Sequence, residues 1–268
     1  MKILENVPYM KDADALQVMD VFIPDAPNGK AMFYVHGGGW YDGDKAGFGP
    51  VSRWMCERGY VCASINYRLT RNKDIFPKQI EDTRHAMAFF RSKAKEYGFD
   101  ANRIAAAGSS AGGHLAALLA TIAPKDDLGA SAELISRDTR PNAVVAYSTV
   151  FSLLPVPGIS DVPDVVDHVR MAMGGTFEEL PEVYRRMSPA ERLDKDVPPF
   201  FIIHGVNDDT VPVGLALTFK DALLARGLSV QTEIMDDASH GFCYGMSTPQ
   251  QQHAAAAALA YLEGIFRL

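Results

Sequence analysis

The sequence is short of the residues that define several protein classes. Cysteine occurs three times in 268 residues, as Cys56, Cys62 and Cys243, an odd number at spacings that suit neither a disulfide framework nor a zinc site. These cysteines read as small buried hydrophobes in a reducing compartment. There is no H-E-x-x-H and no other histidine and acid group with ligand spacing, so no catalytic metal is expected. Positive charge is scarce: 26 Lys and Arg face 33 Asp and Glu, a net charge of −7. That balance lacks the electrostatic footprint of a nucleic-acid or anionic-membrane binder. No apolar run reaches the length that spans a bilayer, and the first residues, Met1-Lys2-Ile3-Leu4-Glu5-Asn6, lack the continuous apolar stretch of a secretory leader. A cytoplasmic protein with neither a nucleic-acid nor a membrane partner is expected. Internal repeats and low-complexity segments are also missing.

What is present is ordinary globular usage, 47% hydrophobic and 22% charged, enough for one sizeable core and a single domain over residues 1–268. Short runs such as Met32-Phe33-Tyr34-Val35, Val61-Cys62-Ala63-Ser64-Ile65, Ile104-Ala105-Ala106-Ala107, Ala143-Val144-Val145-Ala146 and Phe200-Phe201-Ile202-Ile203 are apolar throughout. Strands covered on both faces by helices have this composition, which predicts a mostly parallel central sheet. Between the runs, Ile80, Met87, Phe90, Ala94 and Tyr97 form the stripe of an amphipathic helix. A second helix is predicted from near Pro212 to Gly227, and a last one from Thr248-Pro249 to about Phe266. The alternation implies an α/β fold with helices on both faces. Residues 151–199, rich in proline and glycine, break the rhythm and are expected to form short helices and loops, either a small cap over the site or an excursion that does not touch substrate.

Gly108-Ser109-Ser110-Ala111-Gly112 fits G-x-S-x-G between a predicted strand and a predicted helix. This is the context of a nucleophile elbow, a turn so sharp that the middle serine stands clear of the sheet and its small neighbours avoid backbone collisions. Upstream, His36-Gly37-Gly38-Gly39 follows another buried strand. Glycine lets backbone N–H groups approach a developing oxyanion, so Gly38 and Gly39, with Ala111 after the serine, are candidate oxyanion-hole donors. His36 reads as a brace for that loop. A phosphate loop is excluded by spacing, since neither G-x-G-x-x-G nor G-x-x-x-x-G-K-[ST] fits. Further on, the Phe200–Ile203 strand leads to His204-Gly205-Val206-Asn207-Asp208-Asp209, and Val230–Met235 leads to Asp236-Asp237-Ala238-Ser239-His240. Serine, acid and histidine thus each sit at the carboxyl end of a predicted strand, where ligand sites of α/β sheets gather. Asp208 and Asp209 are both candidates for orienting the imidazole of His240.

These motifs resemble α/β-hydrolases of the hormone-sensitive-lipase-like kind, and within them the small carbohydrate-esterase-like (acetylxylan and feruloyl esterase) and kynurenine-formamidase-like members. From about Leu16 onward, Ile65-Asn66-Tyr67-Arg68-Leu69, Phe76-Pro77 with Asp82, Ser188-Pro189, and His204-Gly205 with Asp208 carry the resemblance. It implies an α/β-hydrolase fold, a triad of Ser110, Asp208 and His240, and an oxyanion hole of Gly38, Gly39 and Ala111. The chain has Asn66 where many hormone-sensitive-lipase-like members have aspartate, and Thr70-Arg71-Asn72 where they have a proline-acid pair. Both departures lean toward the carbohydrate-esterase and formamidase side.

The chemistry expected is serine-dependent hydrolysis of short acyl or aryl esters, including acetyl or feruloyl esters of carbohydrate, with no cofactor. Formamide cleavage would use the same residues. A non-catalytic binding module is the remaining alternative, and the complete set of motifs counts against it. Trp40, Tyr41, Phe242 and Tyr244 flank the motifs and either line a substrate pocket or pack the loops. His114 is expected to pack, His85, His168 and His253 to lie at the surface, and methionines such as Met171 and Met173 to fill the core.

Overall fold

A computed structural model describes residues 1–73, 75–134, 137–155 and 163–267. Among these residues the chain forms an eight-stranded sheet from β1 (Lys2–Pro8), β2 (Val18–Ile23), β3 (Gly29–Val35), β4 (Val61–Ile65), β5 (Phe99–Ser109), β6 (Ala143–Tyr147), β7 (Phe200–Gly205) and β8 (Val230–Met235). The spatial order is β1-β2-β4-β3-β5-β6-β7-β8. β2 runs antiparallel to both β1 and β4, and from β4 across to β8 every neighbouring pair is parallel.

The strands are apolar at consecutive positions because the sheet separates two cores. In β3, Ala31, Phe33 and Val35 face one core while Met32 and Tyr34 face the other. The helices are α1 (Gly49–Cys56), α2 (Lys78–Ser92), α3 (Ala94–Tyr97), α4 (Ala111–Thr121), α5 (Pro163–Met173), α6 (Pro181–Arg186), α7 (Val213–Leu224) and α8 (Pro249–Ile265). The first core takes Ile80, Met87 and Phe90 of α2, Leu115, Leu118 and Leu119 of α4, and Leu215, Phe219 and Leu223 of α7. The second takes Val51 and Met55 of α1 and Ala254, Ala255, Ala258, Tyr261 and Leu262 of α8. Each fully buried Phe or Leu contributes roughly 1.5–3 kcal/mol. Among the described residues, no helix is long and apolar enough to cross a membrane.

The expected helix over Ile80–Tyr97 is broken at Lys93 into α2 and α3, with all five stripe residues buried. The last helix begins at Thr248, whose hydroxyl accepts from Gln251 N–H in a reciprocal capping box. β1 and β2 were not legible as strands. β1 is an edge strand with much of its length exposed and a register shift between Leu4 and Val7, and β2 carries Asp20 at its middle. That carboxylate is satisfied by Asn6 N–H at 2.9 Å and Lys45 Nζ at 3.0 Å.

Within residues 151–199 the chain forms α5, α6 and a 3₁₀ turn at Pro189–Glu191, and residues 156–162 lie outside the described ones. Val169, Ala172, Met173 and Tyr184 of this insertion join the first core. All three cysteines are free and buried. Three expectations are corrected. His85 is buried, with Nε2 3.1 Å from Ser131 Oγ, because the segment after α4 folds over α2. Met171 is 40% exposed on the outer side of α5. His168, also on α5, faces inward, as described below. His253 is exposed beside Glu233 as expected.

Candidate active site

At the end of β5 the chain turns at Ser110 into α4, and Ser110 has φ 55° and ψ −122°. A non-glycine residue is strained there, and such strain persists only when the surroundings impose it. They do so through close packing. A Cβ on Gly108 would lie 2.3 Å from the Gly112 carbonyl oxygen, and one on Gly112 would lie 2.1 Å from that of Val35. Ser110 N–H donates to the Tyr147 carbonyl at 3.0 Å. Ala111, as the first residue of α4, carries one of the N–H groups that have no acceptor within the helix.

Beside the elbow, β3 ends in the glycine loop. Gly38, Gly39 and Trp40 all have positive φ, at 108°, 61° and 57°. The Gly38 carbonyl turns back to accept from Tyr41 N–H at 3.0 Å and Asp42 N–H at 2.9 Å. A Cβ on Gly38 would strike the Asp42 carbonyl at 2.2 Å, and one on Gly39 would strike the His168 ring at 2.9 Å. His36 braces the loop: its Nδ1 donates to the Gly37 carbonyl at 2.7 Å, its own carbonyl accepts from Tyr67 Oη at 2.9 Å, and its ring stacks on Tyr67. Burial lowers the His36 pKa to about 4, so the ring is neutral near pH 7. His114 packs beneath Trp40 and Phe76 with Nε2 on the Met187 carbonyl at 2.7 Å, and burial lowers its pKa to about 4 as well.

The loop after β7 carries Asp208, whose side chain is fully buried. Asp208 Oδ1 accepts from Val211 N–H at 2.8 Å and Thr210 N–H at 3.1 Å, and both carboxylate oxygens lie 3.0 Å from His240 Nδ1. His204 Nε2 approaches the carboxylate at 3.4 Å while bonding the Val211 carbonyl at 2.7 Å. Burial opposes ionisation, but the bonds from His204, His240 and the Val211 N–H outweigh it and hold the carboxyl well below the usual carboxylate range. The carboxylate accepts a hydrogen bond from Nδ1–H, which leaves Nε2 of His240 with its lone pair. Gly205 keeps the β7 and β8 loops together, since a Cβ there would lie 2.0 Å from the Ala238 carbonyl.

Ser110, His240, Gly38, Gly39 and Ala111 line one cavity of about 500 Å³. Ser110 Oγ makes no hydrogen bond among the described residues, and contacts of this kind commonly tighten when substrate binds. Trp40 and Tyr244 also line the cavity, whereas Tyr41, 40% exposed, and Phe242, packed against Tyr147, do not. Asp209, the other candidate for orienting the imidazole, is exposed and stands at the cavity wall with Thr210. Sequence reasoning missed Val150, Val165 and Val211 in the wall, and His168, which rests on Gly39 and tilts against Tyr41. Nothing local to His168 could have signalled this, because it depends on how α5 folds back over the sheet. Among the described residues, no group of three or more His, Cys, Asp or Glu could hold a metal ion.

Residues 19–223 match the family model described as BD-FAE. Esterase LipC of Mycobacterium tuberculosis is 34% identical over 255 residues, 91% of this chain and 62% of that protein. The probable carboxylic ester hydrolase LipM of the same organism is 30% identical, over 88% of this chain and 54% of its own length. The chain therefore spans little more than half the length of these relatives. A truncated carbohydrate esterase from gut microbiota has the same fold, with a TM-score of 0.84 at 23% identity over 99% of this chain and 96% of that one. Esterase 2 of Thermogutta terrifontis is similar in its butyrate-bound structure, with a TM-score of 0.80 and 28% identity over 97% and 93% of the two chains. It is also similar in its sarin-phosphonylated form, with a TM-score of 0.82 and 27% identity over 97% and 94%.

Proposed function

The chain belongs to the BD-FAE family and has the α/β-hydrolase fold, and on that premise we propose that it hydrolyses carboxylic esters. In this reading Ser110 is the nucleophile, His240 the general base and Asp208 the acid that orients the imidazole. The N–H groups of Gly38, Gly39 and Ala111 form the oxyanion hole. The observation that carries the reading is the 3.0 Å pairing of His240 Nδ1 with both oxygens of Asp208, on a ring that opens into the same cavity as the strained Ser110.

His240 Nε2 takes the Ser110 proton as Oγ attacks the ester carbonyl, and the negative charge passes to the carbonyl oxygen. Each donor of an oxyanion hole is worth about 2.7–4 kcal/mol in the transition state. The tetrahedral species collapses, the alcohol leaves with the proton held by His240, and Ser110 is left acylated. Water then attacks with His240 again as base, which releases the acid and restores the serine. No step calls on a cofactor.

The cavity supports a short acyl or aryl ester, such as an acetyl or feruloyl ester of carbohydrate. Its volume suits a small ligand, and Val150, Val165 and Val211 give it apolar wall. Relatives named as esterases and a neighbour holding butyrate are consistent with this. Among the described residues lining the cavity there is no Lys or Arg, and Asp209 stands at the wall. N-formylkynurenine is a zwitterion whose carboxylate has no cation to meet there while its ammonium could meet Asp209, so the ester reading is preferred on the relatives named as esterases.

Ser110→Ala is expected to abolish turnover of p-nitrophenyl acetate and labelling by an organophosphate. Ser109→Ala is expected to keep the label, because Ser109 is fully buried. A Ser110→Ala protein that still reacts at an active-site serine would overturn the assignment. A panel of acetylated xylan, methyl ferulate and N-formylkynurenine separates the substrate classes.

A further inference from the structure

Three successive residues with positive φ, two of them glycine, give the loop after β3 little restraint of its own. An oxyanion hole requires N–H groups fixed in direction before the charge develops. The loop's own bonds end on the Gly37 and Gly38 carbonyls, so restraint on the N–H groups of Gly37, Gly38 and Gly39 has to come from outside it. One tether is Tyr67, whose hydroxyl holds the His36 carbonyl. A second reaches in from the loop that carries His240: Gly37 N–H donates to Tyr244 Oη at 2.6 Å.

Tyr244 is itself held on three sides. Its ring packs against Phe48 with centroids 4.9 Å apart, and Phe48 in turn stacks on Tyr34. Gly47 lies so close that a Cβ there would be 3.2 Å from the Tyr244 ring. The Tyr244 carbonyl accepts from Gln251 Nε2, the same side chain that completes the cap of α8. The phenol end and the nucleophile both border Gly37, since a single Cβ there would touch Tyr244 Oη at 2.8 Å and Ser110 Cβ at 3.3 Å. A ring fixed this firmly presents its hydroxyl at one point, and that point is the peptide immediately before the proposed hole.

We propose that Tyr244 is a positioning residue whose hydroxyl, by accepting the Gly37 N–H, aims the Gly38 and Gly39 N–H groups into the cavity and sets the distance between the oxyanion loop and the His240 loop. The inference rests on the ester-hydrolase reading above. Gly37 N–H is withdrawn from substrate binding by the same bond. Tyr244 thus acts through the hole, and its effect belongs to the transition state.

The test is Tyr244→Phe in the full chain, which deletes one oxygen and keeps the ring. With p-nitrophenyl acetate, kcat is expected to fall about tenfold, a part of what losing a whole donor costs, while KM changes less than about twofold. Affinity for a trifluoromethyl ketone, which forms an oxyanion on the enzyme, should weaken by about the same factor as kcat/KM. A merely structural tyrosine would lower the melting temperature and leave kcat and inhibitor affinity together unchanged. Gly47→Ala gives an independent route, because its methyl presses on the Tyr244 ring without touching the hydroxyl bond directly. It should shift kcat in the same direction by a smaller factor, and it decides the matter if Tyr244→Phe does not fold. Wild-type kcat and inhibitor affinity in folded Tyr244→Phe, or in Gly47→Ala where that alone folds, would overturn the inference. Ser110→Ala run alongside separates the two levels: activity surviving in it overturns the ester-hydrolase reading, whereas its loss beside unchanged Tyr244→Phe overturns only the role of Tyr244.

Discussion

Replacing Asp208 by asparagine tests the centre of the proposed mechanism with almost no change in shape. The side chain is fully buried, and Oδ1 accepts two backbone N–H groups at 2.8 and 3.1 Å. An asparagine oxygen can keep those two bonds, so its NH₂ is turned toward His240 Nδ1. Oδ1, also 3.0 Å from Nδ1, already holds the two backbone bonds, so a ring that accepts from the NH₂ instead carries its proton on Nε2 and loses the lone pair that would take the Ser110 proton. The equivalent change in a serine protease costs about 10⁴ in kcat, and His240 has 23% exposure with which to relax. A loss of at least about a hundredfold is therefore expected, equal to about 2.7 kcal/mol of barrier. Asp209→Asn should lower kcat by less than about tenfold, since its carboxylate is exposed at the cavity wall. Both variants are assayed with p-nitrophenyl acetate after circular dichroism shows them folded. Stability gives a second reading. The Asp208 carboxyl is held below its unfolded value, so the stability it adds is present above about pH 4 and disappears as pH falls further. The difference in unfolding free energy between wild type and Asp208→Asn should accordingly shrink toward zero below about pH 4. If Asp209→Asn is the crippled variant and Asp208→Asn turns over normally, the acid is misassigned.

Two further outcomes follow from the same geometry. His36 and His114 stay neutral down to about pH 4 in the folded chain but protonate near 6.5 when unfolded, so the unfolded state gains protons first as pH falls through that window. Unfolding free energy should drop between pH 6.5 and 4, by up to about 3 kcal/mol per imidazole. Urea midpoints that do not move between pH 7 and 4.5, or a His114→Gln variant with the wild-type slope, would contradict this. Acetyl and butyryl aryl esters should be hydrolysed at least about tenfold faster than dodecanoyl ones, because the cavity suits small ligands. His168→Ala should narrow that gap, and a wild-type rate rising steadily with acyl length would refute the size argument.

The inner parallel strands were readable because they are buried on both faces, and predicted and observed limits coincide at Val61–Ile65; they coincide also at Val230–Met235, an edge strand that is only half-buried. The serine, aspartate, histidine and glycine motifs were readable for a related reason, since each stands just beyond a strand whose composition announces it. Where one face meets solvent or a polar group is paired at a distance, the signal fails. Asp20 conceals β2 because Lys45, which neutralises it, is remote in sequence. His85 and His168 have polar neighbours along their helices, and their placement is decided at a distance: His85 is buried by the segment after α4, and His168 meets the cavity because α5 folds back over the sheet. Of the four flanking aromatics, Trp40 and Tyr244 were separable from Tyr41 and Phe242 only once the loops were in place.

The contact between His168 and Gly39 has a bearing on redesign. Anyone seeking a broader substrate range would begin with α5, the helix that overhangs the cavity. Its imidazole, however, rests on the face of Gly39 closely enough that not even a methyl group fits between them. Breadth and speed are thus wired to the same joint: reshaping the overhang to admit a bulkier group also unloads the Gly39 peptide proposed for the oxyanion hole. A library confined to α5 should show the two properties trading against each other, and varying Val150 or Val211 on the opposite elements is the way to alter one without the other.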